Sequence, residues 1–391
     1  MIARRLTLSL ATAALILIAP VRSTAADPLE IPTILPLTGP AAFLGKEYGE
    51  TLRFLEERVN KNGGIGGRTL HFAIQDDQSS PQVDVQLTTA ALQKKPPLII
   101  DGAPLALCRS TAALMKDGPV MWCLSPSMRP DAGGYVMAVM ASSRDSTLVG
   151  LRYFRDRGFK KIGVLNTTDA TGADADSLLA DAIALPAYAG MSFVAQEHFN
   201  PGDLNVAAQI AHIKASGAQA LVAFTTGTPI ATVLHGMNDA GLDIPVFTSQ
   251  GNMSIRQLDS YKSFAPKELL FPGYPALAPD SVADADVREK VEAFRAEMAA
   301  ANLSPDLLHA TPWDPVYLIV EAFKRAKPTA TADQLRSAIL GIRNWPGVFG
   351  RYDFVKTPNR GLGDNWIIVS KWEPSRSTWV AVSKAGGAPL K

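Results

Sequence analysis

Cysteine is almost missing from this chain, with only Cys108 and Cys123 among 391 residues. That excludes a disulfide-dense scaffold and an all-thiolate zinc site. Histidine is scarce too. The five histidines, His71, His198, His212, His235 and His309, are scattered, and no HExxH motif occurs. Neither a GxxxxGK[ST] phosphate loop nor a GxSxG nucleophile elbow is present. Basic residues do not interleave with aromatics in any patch, which speaks against nucleic acid as a partner. One apolar run is long enough to attract attention, and there is no second.

That run, Leu6 to Val21, follows Arg4-Arg5 and precedes the small residues Ser23-Thr24-Ala25-Ala26. The order is that of a cleaved secretory signal spanning residues 1–26. Its length of about 16 residues is short for a membrane span of roughly 20. With no cysteine at the cleavage point, the expectation is a soluble exported protein starting near Asp27, most simply periplasmic. Removing Arg4, Arg5 and Arg22 takes the 38 basic residues to 35 against 37 acidic ones, a mature charge near −2. A mature chain of about 365 residues exceeds one ordinary core and suggests two domains.

Apolar β-like runs recur around Ile34, Leu70, Leu98 to Ile100, Val120 to Leu124, Ile162 to Leu165, Phe193 to Val194, Ala220 to Phe224 and Pro245 to Phe247. Helical patterns fall between most of them, so the fold class is α/β with parallel sheets covered by helices. The stretch from Ile31 to Pro81 is the most explicit. A strand broken at Thr38-Gly39-Pro40 leads to a helix with Leu44, Tyr48, Leu52, Leu55 and Val59 on one face. Asn62-Gly63-Gly64 ends that helix, and Leu70, Phe72 and Ile74 alternate as the next strand. Later, Asp284 to Ala301, Pro312 to Lys327 and Ala332 to Ile342 read as helices. Phe349 to Val355, Trp366 to Lys371 and Thr378 to Val382 read as strands.

Cys108 opens a helix on this reading and Cys123 closes the next strand, which a short crossover brings together. A disulfide is expected in the oxidising compartment, with two buried free thiols the alternative. Nothing in the chain supports an enzyme, a resident metal or a cofactor. Gly63 to Gly67 follows a helix and precedes a strand, the reverse of a phosphate-binding turn. Asp76-Asp77 reads as a strand-end turn, and Asp174 and Asp176 as first-turn helix residues.

Ligands of open α/β sheets gather in the loops after strand C-termini. Those loops contribute Phe43, Leu44, Leu105, Ala106, Ser125, Thr171, Thr226 and Gln250 as candidate ligand contacts, with Arg129 the only cation. A guanidinium in an uncharged cleft suits a carboxylate. An exposed arginine in a Pro-flanked loop is the alternative for Arg129.

In LTGPAAFLG, NKNGGIGGRTLHFAIQDDQSSP, Ser125-Pro126, Asn238 to Leu242 and the Trp313-Asp314-Pro315-Val316-Tyr317 helix start, the chain resembles the leucine/isoleucine/valine-binding protein family. These are type I periplasmic solute-binding proteins of ABC transporters. The resemblance implies two Rossmann-like lobes joined by three hinge crossovers, near residues 142, 274 and 360. Lobe 1 would then be 27–142 plus 275–359, and lobe 2 would be 143–274 plus 360–391. It further implies a small-molecule ligand, a membrane permease as partner and, by default, a monomer. In amino-acid-binding members the ligand carboxylate is held by small hydroxyl residues at loops matching Gly102 to Cys108 and Ser125 to Pro130. The acid that grips the ammonium matches Gln250. An uncharged Gln250 disfavours an α-amino acid, because a buried ammonium needs an anion. An aromatic or hydrophobic carboxylate is therefore expected. The alternatives are an amino acid or amide on the same fold, and a ligand-sensing subunit for a membrane partner.

Overall fold

Alternating apolar strands and one-faced helices fold in chain order into two sheets. The structure, a computed structural model, describes residues 27–390, so the expected signal segment lies outside the described residues. The first part of the chain lays down β1 (Leu29–Leu35), α1 (Ala42–Lys61), β2 (Leu70–Asp76), α2 (Pro81–Leu92), β3 (Leu98–Asp101), α3 (Leu105–Ala112), β4 (Val120–Cys123) and β5 (Val136–Ala138). The strands form one wholly parallel sheet in the order β2-β1-β3-β4-β5. Every residue of β3 and β4 is buried, as strands covered on both faces must be. Leu44, Tyr48, Leu52, Leu55 and Val59 of α1 all face the core, none more than 6% exposed. Beyond the helix end the chain turns at Gly64. Its φ is +70°, and a Cβ there would sit 2.0 Å from the Arg68 carbonyl oxygen, so only glycine fits.

The chain then builds α4 (Ser143–Asp156), β6 (Lys161–Thr167), α5 (Ala170–Ile183), β7 (Ser192–Phe199), α6 (Ala207–Ala215), β8 (Ala220–Ala223), α7 (Pro229–Asp239), β9 (Val246–Thr248), α8 (Ile255–Asp259) and β10 (Leu269–Gly273). Next come α9 (Ala285–Ala300), α10 (Leu307–Ala310), α11 (Trp313–Ala326) and α12 (Ala332–Leu340), then β11 (Trp345–Pro346), β12 (Arg351–Tyr352), β13 (Ile368–Glu373) and β14 (Thr378–Ala381). The second sheet runs β14-β13-β10-β9-β8-β6-β7, with a parallel core and β13 and β14 antiparallel at one edge. Helices α10 and α11 pack on α1, and α12 on β4, so the chain returns to the first sheet before ending in the second. It passes between the sheets three times, after β5, after β10 and after β12. Two lobes of the type I binding-protein architecture result.

Three elements depart from the sequence reading. β5 has only three residues, too few for a visible alternation. β10 carries Pro272 inside a buried strand, where a missing N–H normally argues against sheet. The expected strand from Phe349 to Val355 shrinks to Arg351–Tyr352, paired only with Trp345–Pro346. No helix among the described residues is long and apolar enough to cross a membrane.

Cys108 and Cys123 form a disulfide, with Cα atoms 5.9 Å apart. It ties the middle of α3 to the end of β4 inside a small apolar cluster with Ile99, Leu105 and Met121.

Candidate functional site

Loops following the parallel strands of both sheets converge on one narrow cavity of ≈ 60 Å³. Larger grooves exist along β2 and β14, but those lie at sheet edges rather than at strand C-termini. From the first lobe come Leu44 and Tyr48 of α1, Ala103 to Leu105 at the start of α3, Ser125 to Ser127 after β4, and Leu307, Leu308 and Thr311 around α10. Thr171, Thr226 and Ser249 to Gly251 face them from the other lobe. Among the described residues, no charged side chain, histidine or cysteine lines this cavity.

Local hydrogen bonds hold these loops. Asn252 is the staple of the second lobe. Its amide nitrogen donates to the Thr225 carbonyl at 3.0 Å and the Thr248 hydroxyl at 2.9 Å, while its oxygen accepts from the Gly227 amide at 2.7 Å. Gln250, two residues earlier, is 5% exposed, and its side-chain nitrogen has no hydrogen-bond partner. Helix α3 begins with no side chain capping it. The Leu107 N–H bonds the Pro104 carbonyl at 3.1 Å, and the N–H groups of Leu105 and Ala106 before it have no intrahelical partner, with Leu105 at the cavity wall. The hydroxyls of Thr171 and Thr226 lie 3.5 Å apart, and those of Ser127 and Ser143 lie 2.7 Å apart across the cleft. Burial pushes the Tyr48 phenol upward, so it stays protonated.

The structure brings Leu44, Leu105, Ser125, Thr171, Thr226 and Gln250 together at the cavity. It does not bring Phe43, Ala106 or Arg129 there. Phe43 points one helical step away and its ring edge packs on Gly227, where an added Cβ would lie 2.5 Å from it. Ala106 is half-buried on the far side of the α3 turn. Arg129 is the substantive correction. Its guanidinium pairs with Asp174 at 2.7 Å and its side chain is 56% exposed, so it is already neutralised outside the cavity. Asp174 sits in the second turn of α5 rather than the first, which lets it reach across the cleft. Burial raises its pKa while Arg129 and Arg109 pull it down.

A second, smaller chamber adjoins the first behind Gln250, lined by Ser146, Thr147, Asp174, Ala175, Leu178 and Phe224. Sequence reading missed Tyr48, Met140, Leu307, Leu308 and Thr311. The sequence pattern places Tyr48 on the core face of α1, and the four-residue α10 is too short to show a helix periodicity.

A family model described as periplasmic binding protein matches residues 28–373. A Leu/Ile/Val-binding protein of Rhizobium johnstonii is 21% identical over 360 residues, covering 89% of this chain and 92% of its own. Leu/Ile/Val-binding protein homolog 3 of Brucella melitensis is 23% identical over 235 residues, 59% of this chain; the match spans only 63% of that protein's length. Among solved structures, a periplasmic binding protein type 1 from Bordetella pertussis superposes with a TM-score of 0.76 at 21% identity, covering 91% of this chain and 99% of that one. An ABC-transporter solute-binding protein from R. palustris, in complex with benzoate, superposes with a TM-score of 0.76 at 17% identity over 93% and 97% of the two chains. At such identities the shared property is the fold.

Proposed function

Because this chain belongs to the periplasmic binding protein family, we propose that it is the solute receptor of an ABC importer, closing its lobes on a small organic acid with an aromatic or hydrophobic body. The observation that carries this reading is the charge-free cavity wall. An α-amino acid would bury its ammonium against a wall with no anion, since Asp174 of the adjoining chamber is already paired with Arg129, and an unpaired buried charge costs several kcal/mol. A carboxylate meets donors instead. The uncapped start of α3, the Ser125 hydroxyl and the Gln250 amide are available to it. Leu44, Leu105, Met140 and Leu307 offer apolar surface for the rest of the molecule. The benzoate bound by the R. palustris relative supports an aromatic acid.

The lobes are assigned as 27–142 plus 275–359 and 143–274 plus 360–391, with residues 1–26 as the signal that exports the protein to the periplasm. Its partner is a membrane permease, and it works as a binding protein rather than an enzyme, without a cofactor. A second reading, a branched-chain amino acid as ligand, is favoured by the names of the curated relatives. Titration calorimetry with benzoate and related acids beside leucine and valine separates the two. Stabilisation by leucine alone overturns the acid reading. Gln250→Glu should weaken benzoate binding at least tenfold, by placing a second carboxylate against the first.

A further inference from the structure

Beside the cavity, but not lining it, Glu47 of α1 and Asp306 and His309 at the start of α10 present one donor atom each, all within 4.8 Å of one another. All three are buried, at 2%, 0% and 1% exposure. Asp306 Oδ1 accepts from His309 Nδ1 at 2.8 Å, and Glu47 Oε2 stands 3.7 Å from the same nitrogen. That Glu47 oxygen has no hydrogen-bond partner. A buried carboxylate oxygen aimed at an imidazole and left unbonded is costly, and the cluster holds more negative than positive charge.

The far atom of each side chain is held in place. Ser254 donates its hydroxyl to Glu47 Oε1 at 2.8 Å, and the Ile255 N–H donates to Asp306 Oδ2 at 3.0 Å. His309 Nε2 reaches Glu50 Oε2 at 3.2 Å. A histidine whose second ring nitrogen faces a carboxylate, beside two oriented carboxylates, is the pattern found around metal ions. We propose that Glu47 Oε2, Asp306 Oδ1 and His309 Nδ1 bind a divalent cation of the zinc class, with water as the fourth ligand. Tetrahedral zinc with bonds of about 2.1 Å separates its ligand atoms by roughly 3.4 Å, which the observed 2.8 and 3.7 Å bracket. An imidazole ligand selects this class over magnesium or calcium. Binding replaces the proton on His309 Nδ1, which leaves to solvent, and the remaining ring proton sits on Nε2 against Glu50. Ser254 and Ile255 belong to the opposite lobe from the three ligands, so the cation would bind most tightly when the lobes touch.

The test is calorimetry and thermal melting of the mature protein, dialysed against EDTA and titrated with zinc chloride. One zinc per chain should bind and raise the melting temperature, while calcium does neither. Glu47→Gln keeps an acceptor for Ser254 and should lower zinc affinity at least tenfold. Unchanged affinity in that variant, no zinc binding, or equal stabilisation by calcium overturns the proposal. X-ray absorption of the zinc-loaded native protein gives a readout independent of the variant's folding. One imidazole in the shell is expected, and two or more place the ion on surface histidines instead.

Discussion

At the scale of single residues, position in a loop was a better guide than charge. Gln250, Thr171 and Thr226 were legible because each follows the end of a buried strand. Arg129 was legible in place and not in partner, since Asp174 lies 45 residues away in sequence. Arg129→Ala should therefore change ligand affinity little. It strands the buried Asp174 carboxylate and should lower stability by about 1 kcal/mol, because the guanidinium is more than half exposed. Adding Asp174→Asn should return most of that loss, and urea unfolding of both singles and the double provides the cycle. A second residue-scale prediction concerns pH. Asp77, Asp84 and Asp101 are wholly buried and each keeps an oxygen without a hydrogen-bond partner. Burial raises all three above the usual carboxylate range, Asp77 to about 6. The folded form thus holds protons that the unfolded chain releases above its ordinary value near 3.8. Stability from these groups is full below that value and is lost as pH rises through the folded values. His309 acts in the same direction. Burial alone would lower it, but Asp306, Glu47 and Glu50 hold it at about 9. The melting temperature should climb as pH falls from 9 towards 6, and Asp84→Asn should flatten part of that slope.

At the scale of elements, the periodicity of α1 and the continuous apolar runs of β3, β4 and β8 were sufficient on their own. Short or proline-bearing strands were not. β10 is a strand because β9 and β13 hydrogen-bond it on either side, which no local pattern announces. The α3–β4 unit is stapled by its disulfide across a separation of 15 residues. Replacing both cysteines with serine should cost about 3 kcal/mol of unfolding free energy, chiefly by freeing the unfolded chain. Chemical denaturation of that double variant beside the native protein measures it.

At the scale of the whole molecule, function depends on how two lobes meet. Phe43 against Gly227, Ser127 against Ser143 and Glu47 against Ser254 are contacts between them. Gly227 has φ of +84° and no room for a Cβ beside the Phe43 ring. Gly227→Val should hold the lobes apart. Small-angle scattering should show the native protein contracting at saturating ligand while this variant keeps its unliganded radius of gyration. A variant that contracts as the native protein does would remove Phe43–Gly227 from the closure contacts.

By itself, the sequence determined the α/β class, the order of most strands and helices, the turn at Gly64 and the loops from which a ligand site must be built. These are local matters, set by apolar spacing and by backbone angles that few residues adopt. Only the tertiary structure decided which of the loop side chains face the cavity, that Arg129 is spent on Asp174, and that Glu47 meets His309. His309 lies 259 residues along the chain from its partner Glu50. Pairings over such distances are chosen by packing and charge compensation in the folded state, for which sequence spacing carries no signal.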